Sequence, residues 1–168
     1  MRRFLSFVGA SLCVALSAFG ADTGTLTMAT EATFPPYEFL RGQEIVGIDV
    51  EISRAVADHL GLKLRVENME FDSVISSVVS GKADLGASGI TVTEDRRKNV
   101  DFSAPYVETS IVVVYLKANP FTDVSCLKGR KIGVQSGTTS DAYVVDTFKT
   151  EPERFKTPAE ACAALLAG

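Results

Sequence analysis

Hydrophobic and polar positions change period several times along the chain, and each change predicts an element. Thr25 to Thr30 reads as a short strand. Thr33-Phe34-Pro35-Pro36-Tyr37-Glu38-Phe39 follows as a rigid extended loop, because proline fixes φ and disfavours helix at the residue before it. A tight turn at Arg41-Gly42-Gln43 closes that loop. From Asp49 to Leu60, the spacing of Ile52, Ala55, Val56 and Leu60 predicts a helix with those residues on its buried face, and Gly61 stands as its terminator. Leu62, Leu64 and Val66 then alternate with Lys63, Arg65 and Glu67, the period of a strand with one wet face. A second helix takes Asp72 as its N-cap, buries Val74, Ile75, Val78 and Val79, and stops at Gly81. Ala83 to Ser88 is a buried strand. Strand and helix alternating at these lengths predict an α/β fold, with right-handed crossovers and a largely parallel sheet covered on both faces. In such sheets ligands sit beyond the carboxyl ends of the strands, where Ser88-Gly89-Ile90-Thr91 lies.

After Tyr106 the character changes. Ile111 to Leu116 reads as a long apolar strand ending in the breaker Asn119-Pro120, and a domain boundary is expected there. Beyond it Lys131 to Gln135 is a strand, Gly137-Thr138-Thr139-Ser140 a turn, and Asp141 to Lys149 a helix. The first pattern restarts: Phe71 to Asp84 runs helix, Gly81, strand, and Pro158 to Gly168 runs a similar helix that reaches a glycine. The 52 residues from Lys117 make a meagre core alone, so a chain truncated in its second unit is expected.

Composition narrows the function. The 168 residues are 46% hydrophobic and 23% charged, with 17 Lys plus Arg against 21 Asp plus Glu and no basic run that could follow a phosphate backbone, so nucleic acid is not an expected partner. One histidine, His59, and three scattered cysteines offer no metal-ligand spacing, and neither metal nor cofactor is expected. Arg2 and Arg3, the apolar stretch Phe4 to Phe19 and Ala18-Phe19-Gly20 read as an export signal over residues 1–20, cleaved after Gly20. Leu12 before Cys13 disfavours a lipid anchor. Loss of the two arginines takes the net charge from −4 to −6, so the exported protein is acidic. Cys126 and Cys162 remain and are expected to be free.

The candidate chemistry is a binding site. Arg96 lies a few residues past the strand end, where a guanidinium fork suits two-point capture of a carboxylate and Ser88, Gly89 and Thr91 can add hydroxyl and backbone N–H donors. The plainer alternative is a solvated charge among Arg97 and Lys98. The turn before the helix at Asp141 could present free N–H groups to an anion, but no lysine completes a P-loop there or at Ser80-Gly81-Lys82-Ala83, and helix capping by Thr139 or Ser140 explains it equally. Glu31 near Phe34 and Tyr37 is an acid beside an aromatic wall, suited to a cation or an amide, or else an exposed acid beside core aromatics. Phe71 is either another wall or a helix staple. Ser136 lacks a nucleophile elbow and His59 lacks an acid partner, so no catalytic constellation is visible.

Four blocks carry a resemblance: Ala29-Thr30-Glu31-Ala32-Thr33-Phe34-Pro35-Pro36-Tyr37-Glu38-Phe39, Gly47-Ile48-Asp49-Val50-Glu51-Ile52, Gly89-Ile90-Thr91 through Asp101-Phe102-Ser103-Ala104-Pro105-Tyr106, and Leu127-Lys128-Gly129-Arg130-Lys131-Ile132-Gly133-Val134-Gln135-Ser136-Gly137-Thr138-Thr139. In this order after an export signal, they resemble the family-3 extracytoplasmic solute-binding proteins of polar amino-acid ABC transporters. The resemblance implies a periplasmic or secreted, non-enzymatic monomer of two three-layer α/β/α lobes joined by hinge strands, which closes on a free polar or basic amino acid and delivers it to a membrane permease. Lobe 1 would span 21–110, a hinge strand 111–116, and part of lobe 2 117–168. It assigns Arg96 to the ligand carboxylate with Ser88, Gly89, Thr91, Thr138 and Thr139, makes Phe34 and Phe71 walls, lets Glu31 read the ligand side chain, and makes Gln135 another pocket-lining residue. The family's acid for the α-ammonium, and the strand that completes lobe 1, would lie past Gly168. As it stands the chain is expected to bind weakly or not at all, with the ammonium left partly desolvated. Two other readings share the scaffold: a secreted dehydratase of the cyclohexadienyl or arogenate type, and the sensing ectodomain of a receptor kinase.

Overall fold

The computed structural model describes residues 24–120 and 122–168. The export signal assigned to residues 1–20 lies outside them.

The first strand, β1, is Thr25–Thr30, and Leu26 to Thr30 are all buried. Five consecutive buried positions require cover on both faces, because alternate side chains point to opposite sides. Two short strands and a third follow: β2 (Thr33–Phe34), β3 (Glu38–Arg41) and β4 (Glu44–Val46) form an antiparallel sheet in the order β2-β3-β4, with the expected turn at Gly42 in the left-handed region, φ 67°. The segment expected to be only an extended loop therefore carries a sheet of its own, seeded on either side of Pro35-Pro36. Helix α1 (Ile48–Leu60) and strand β5 (Lys63–Asn68) come next, then helix α2 (Phe71–Val79) and strand β6 (Leu85–Gly86). The main sheet runs β5-β1-β6, all parallel, as the alternation of strand and helix predicts.

Three local expectations are corrected. Helix α1 buries Asp49, Val50, Ser53 and Ala57, whereas Ile52, Ala55, Val56 and Leu60 face solvent. Both sets have helical spacing; the small Ser53 and Ala57 let the helix approach β1 and β5 closely, and the Ser53 hydroxyl is satisfied by donating to the Asp49 carbonyl at 2.8 Å. The cap of α2 is Glu70, not Asp72, which sits in the first turn, where its charge complements the helix dipole. Residues 111–116 pair with no described strand, and Val112 is 76% exposed. Their apolar, β-branched composition favours extended backbone, but a strand exists only against an edge.

The second unit repeats the scheme in miniature. A 3-10 turn (Val124–Leu127) leads to β7 (Gly133–Gln135), helix α4 (Thr139–Phe148), β8 (Glu153–Phe155) and helix α5 (Pro158–Ala167). A single-turn helix α3 (Glu94–Arg97) precedes all of these. Strands β7 and β8 pair in parallel. Thr157 and Glu160 form a reciprocal capping box at α5. Cys126 and Cys162 are exposed free thiols.

Two contacts control the placement of the strand ends. Val74 of α2 is fully buried against Ala29 and Ala83, and a Cβ at Gly86 would lie 2.8 Å from its Cγ1. At Gly47 φ is 134°, and a Cβ would lie 2.2 Å from the Tyr37 carbonyl oxygen. Val74→Ala should lower unfolding stability in urea by about 2 kcal/mol through the cavity it leaves. Gly47→Ala should lower it by about 3 kcal/mol or more, since both its conformation and the packed backbone oppose a side chain.

Candidate functional site

The carboxyl ends of β1 and β6 meet the loop that leads into α4, and the sequence-predicted residues converge there. Thr93 caps α3, its hydroxyl accepting from the Arg96 N–H at 3.2 Å, which sets the Arg96 side chain pointing back over the strand ends. Arg96 Nη1 donates to the Thr91 carbonyl at 2.7 Å and Nη2 to the Gly137 carbonyl at 3.0 Å. Its guanidinium carbon lies 5.6 Å from the centre of the Phe71 ring, a cation–π distance. Arg96 is thus no solvated surface charge: two of its five donors are held by backbone of different units, and burial lowers its pKa without discharging it.

Glu31, at the end of β1, is 5% exposed. One oxygen accepts the Thr33 hydroxyl, and the other accepts the Gln135 side-chain amide at 3.2 Å, from across the cleft. Phe34 stacks on Tyr37 with ring centres 5.5 Å apart, and its edge covers Gly89, where a Cβ would lie 3.2 Å from Cε1. The acid beside an aromatic wall is therefore a real juxtaposition, and the acid is buried.

Ser88 and Gly89 turn inward. The Ser88 hydroxyl accepts from the Glu31 N–H at 3.0 Å and donates to Glu38 Oε1 at 3.2 Å, and the Gly89 N–H donates to Asp49 Oδ2 at 2.9 Å. These groups are spent on the interior and hold the strand end in place; Thr91 and Arg96 are the parts of this segment that face the second unit. Thr138, rather than Thr139 or Ser140, caps α4, its hydroxyl donating to the Gln135 carbonyl at 2.9 Å and accepting the Asp141 N–H at 3.3 Å. Thr139 is the first helical residue, so the N–H groups at this end lack intrahelical acceptors.

Two buried aspartates play matched parts that sequence reasoning missed. Asp49 holds Gly89 and also accepts the Tyr106 hydroxyl at 2.8 Å. Asp141, 7% exposed, accepts from the Gly137 N–H at 3.2 Å and from Arg154 Nε at 2.8 Å. Each fixes a left-handed glycine, Gly89 at φ 53° and Gly137 at φ 72°, at the head of a loop. The available signal was Asp49 standing between Ile48 and Val50, and Asp141 standing three residues past a capping threonine.

The two units touch closely. Ser136 donates to Asp72 Oδ2 at 3.2 Å, Lys156 pairs with Glu70 at 2.6 Å, and a Cβ at Gly137 would lie 2.8 Å from Asp72 Cβ. A cleft of about 210 Å³ lined by Phe71, Asp72, Ser136, Arg154 and Lys156 opens between the units, and the Gly137 carbonyl lies directly against the Arg96 guanidinium.

The description of bacterial extracellular solute-binding proteins, family 3, matches residues 26–163. The arginine-binding extracellular protein ArtP of Bacillus subtilis is 35% identical over 144 residues, covering 82% of this chain and 56% of that protein. ABC transporter arginine-binding protein 1 of Escherichia coli is 35% identical over 130 residues, covering 76% and 53% respectively. The chain spans about half the length of these curated relatives. Among solved structures, an ancestral arginine-binding protein bound to arginine superposes with a TM-score of 0.79 at 39% identity, covering 86% of this chain and 66% of that one. The arginine-, lysine-, histidine-binding protein ArtJ of Geobacillus stearothermophilus gives 0.80 at 35% identity, with 86% and 63% covered. An ancestral amino acid-binding protein described as a precursor of cyclohexadienyl dehydratase gives 0.79 at 31%. With most of its length matched and its strand ends built as described, the chain belongs to the family-3 bacterial extracellular solute-binding proteins.

Proposed function

We propose that this chain is the amino-acid-capturing part of an extracytoplasmic binding protein, exported after cleavage behind Gly20, that takes up a free basic amino acid and hands it to an ABC transporter permease. One observation carries the reading: Arg96 is fixed between the carbonyls of Thr91 and Gly137, over the face of Phe71, with donors left for a carboxylate. Gly137 would yield its place to the ligand carboxylate, and the N-terminal N–H groups of α4 would approach the same charge from the second unit. Closure of the units on an amino acid is then driven by a contact that both sides share.

The side-chain preference rests on Glu31. A buried carboxylate whose second oxygen is held only by the neutral amide of Gln135 suits a cationic ligand group, and Phe34 and Phe71 supply flat faces for a guanidinium or ammonium. The arginine-binding relatives support this choice. Binding is favoured over catalysis because the matching family and the arginine-binding relatives are binding proteins.

Two substitutions test the reading in a titration with L-arginine followed by amide chemical shifts, which reads weak affinities. Arg96→Ala should weaken binding by at least about 30-fold, the loss expected when one partner of a desolvated charge pair is removed. Unchanged affinity in this variant contradicts the carboxylate assignment. Glu31→Gln should weaken L-arginine by about tenfold and L-glutamine by much less; equal losses for both would remove the preference for a cation.

A further inference from the structure

Behind Ser88 and Gly89 lies a group of acids that the binding reading leaves unused. Glu38 of β3 and Asp49 of α1 are each 1% exposed. None of the ion pairs among the described residues reaches either one. The groups that face them are Glu31 from the end of β1, the Ser88 hydroxyl from beyond β6, and the Tyr106 hydroxyl from the extended segment, with Tyr37 beside Tyr106. All are acidic or neutral. Glu38 Oε2 is buried without a hydrogen-bond partner.

Two carboxylates enclosed without a cation cannot both keep their charge. The hydrogen bonds differ between them. Asp49 accepts from the Gly89 N–H and the Tyr106 hydroxyl. Glu38 receives only the Ser88 hydroxyl, so the proton belongs to it. Burial first and the Asp49 charge second push the Glu38 pKa up to about 9, and Tyr106 is raised as well, chiefly by burial.

We propose that Glu38 and Asp49 are positioning residues that, with a proton held on Glu38, pin the Ser88–Gly89 strand end and through it the Thr91 carbonyl that aims Arg96, so that loss of the proton weakens amino-acid capture. The last step rests on the reading of Arg96 as the carboxylate clamp. The first does not. When Glu38 ionises, its repulsion from Asp49 and Glu31 acts on the strand end through the Ser88 hydroxyl and the Gly89 N–H, the two groups that tie the acids to it. Arg96 is reached only from Thr91, two residues further on.

The same proton links folding to pH. The folded chain keeps it while the unfolded chain releases it above the ordinary glutamate value of 4.5. Its contribution is therefore fully present below that value and is lost as pH rises through about 9. Glu38→Gln, which stays neutral, should flatten this part of the melting-temperature profile.

The deciding experiment uses carboxyl-carbon and amide NMR on the ligand-free chain, followed by L-arginine titrations at about pH 7 and about pH 9.5. The expected result is a Glu38 midpoint well above the ordinary carboxylate range, with the Gly89 amide shift following the same midpoint. In Glu38→Gln that step disappears from Gly89, and L-arginine affinity near neutrality stays within about threefold. At the alkaline pH the unmodified chain should lose about fivefold more affinity than Glu38→Gln; the ligand's own ammonium titrates alike in both and cancels. A Glu38 midpoint in the ordinary carboxylate range, or a Gly89 amide indifferent to it, overturns the positioning pair. A coupled titration in which both chains lose L-arginine affinity equally at the alkaline pH upholds the pinned strand end and overturns its link to Arg96 instead.

Discussion

A guanidinium bonded to carbonyls from two separate units is the constraint on which the rest of this site depends. Arg96 reaches Thr91 on its own side and Gly137 on the other, and neither carbonyl could hold it if its loop were loose. Glycine is required at the head of each loop, because only it adopts the left-handed turn cheaply at Gly89 and Gly137. A glycine is also the residue most costly to order. Each therefore has its N–H tied to a buried aspartate, Asp49 on one side and Asp141 on the other. The flexible residue makes the geometry available, and the buried acid makes it unique.

The two aspartates achieve this differently. Asp141 is neutralised by Arg154, which itself lies partly in solvent and also meets Glu151, so its charge needs no further accommodation. Asp49 has no cation partner among the described residues, and its neighbour Glu38 gives up its charge instead. The first arrangement is a buried carboxylate held against a cation. The second, as proposed, makes the Ser88–Gly89 side of the cleft depend on a proton held in the interior.

Much of the architecture was legible from period alone. The bounds of β1 and the position of α1 follow from alternation, helical spacing and the glycine at 61. The face of α1 did not, because hydrophobicity pointed to Ile52, Val56 and Leu60 while close packing selected Ser53 and Ala57. Small residues at a helix–sheet contact carry little hydrophobic signal, and large ones left in solvent carry a misleading one. Residues 111–116 failed as a strand for the opposite reason: composition was right and a partner was missing among the described residues. At the site, Arg96, Glu31, Phe34, Phe71 and Gln135 could be singled out because their chemistry is uncommon beyond a strand end, and their roles in binding belong to the proposal. Asp49, Glu38, Tyr106 and Asp141 were not, since pattern cannot distinguish a buried acid from a surface one. The inward turn of Ser88 and Gly89 was hidden for the same reason: their partners were these unseen acids.

The most direct test of the account is a crystal structure of the chain grown with L-arginine. The account places the ligand carboxylate within hydrogen-bonding distance, about 3 Å, of the Arg96 guanidinium, with Gly137 displaced from it and the ligand side chain directed toward Glu31. A ligand carboxylate more than about 5 Å from Arg96, or a guanidinium turned out into solvent beside a bound amino acid, would contradict it.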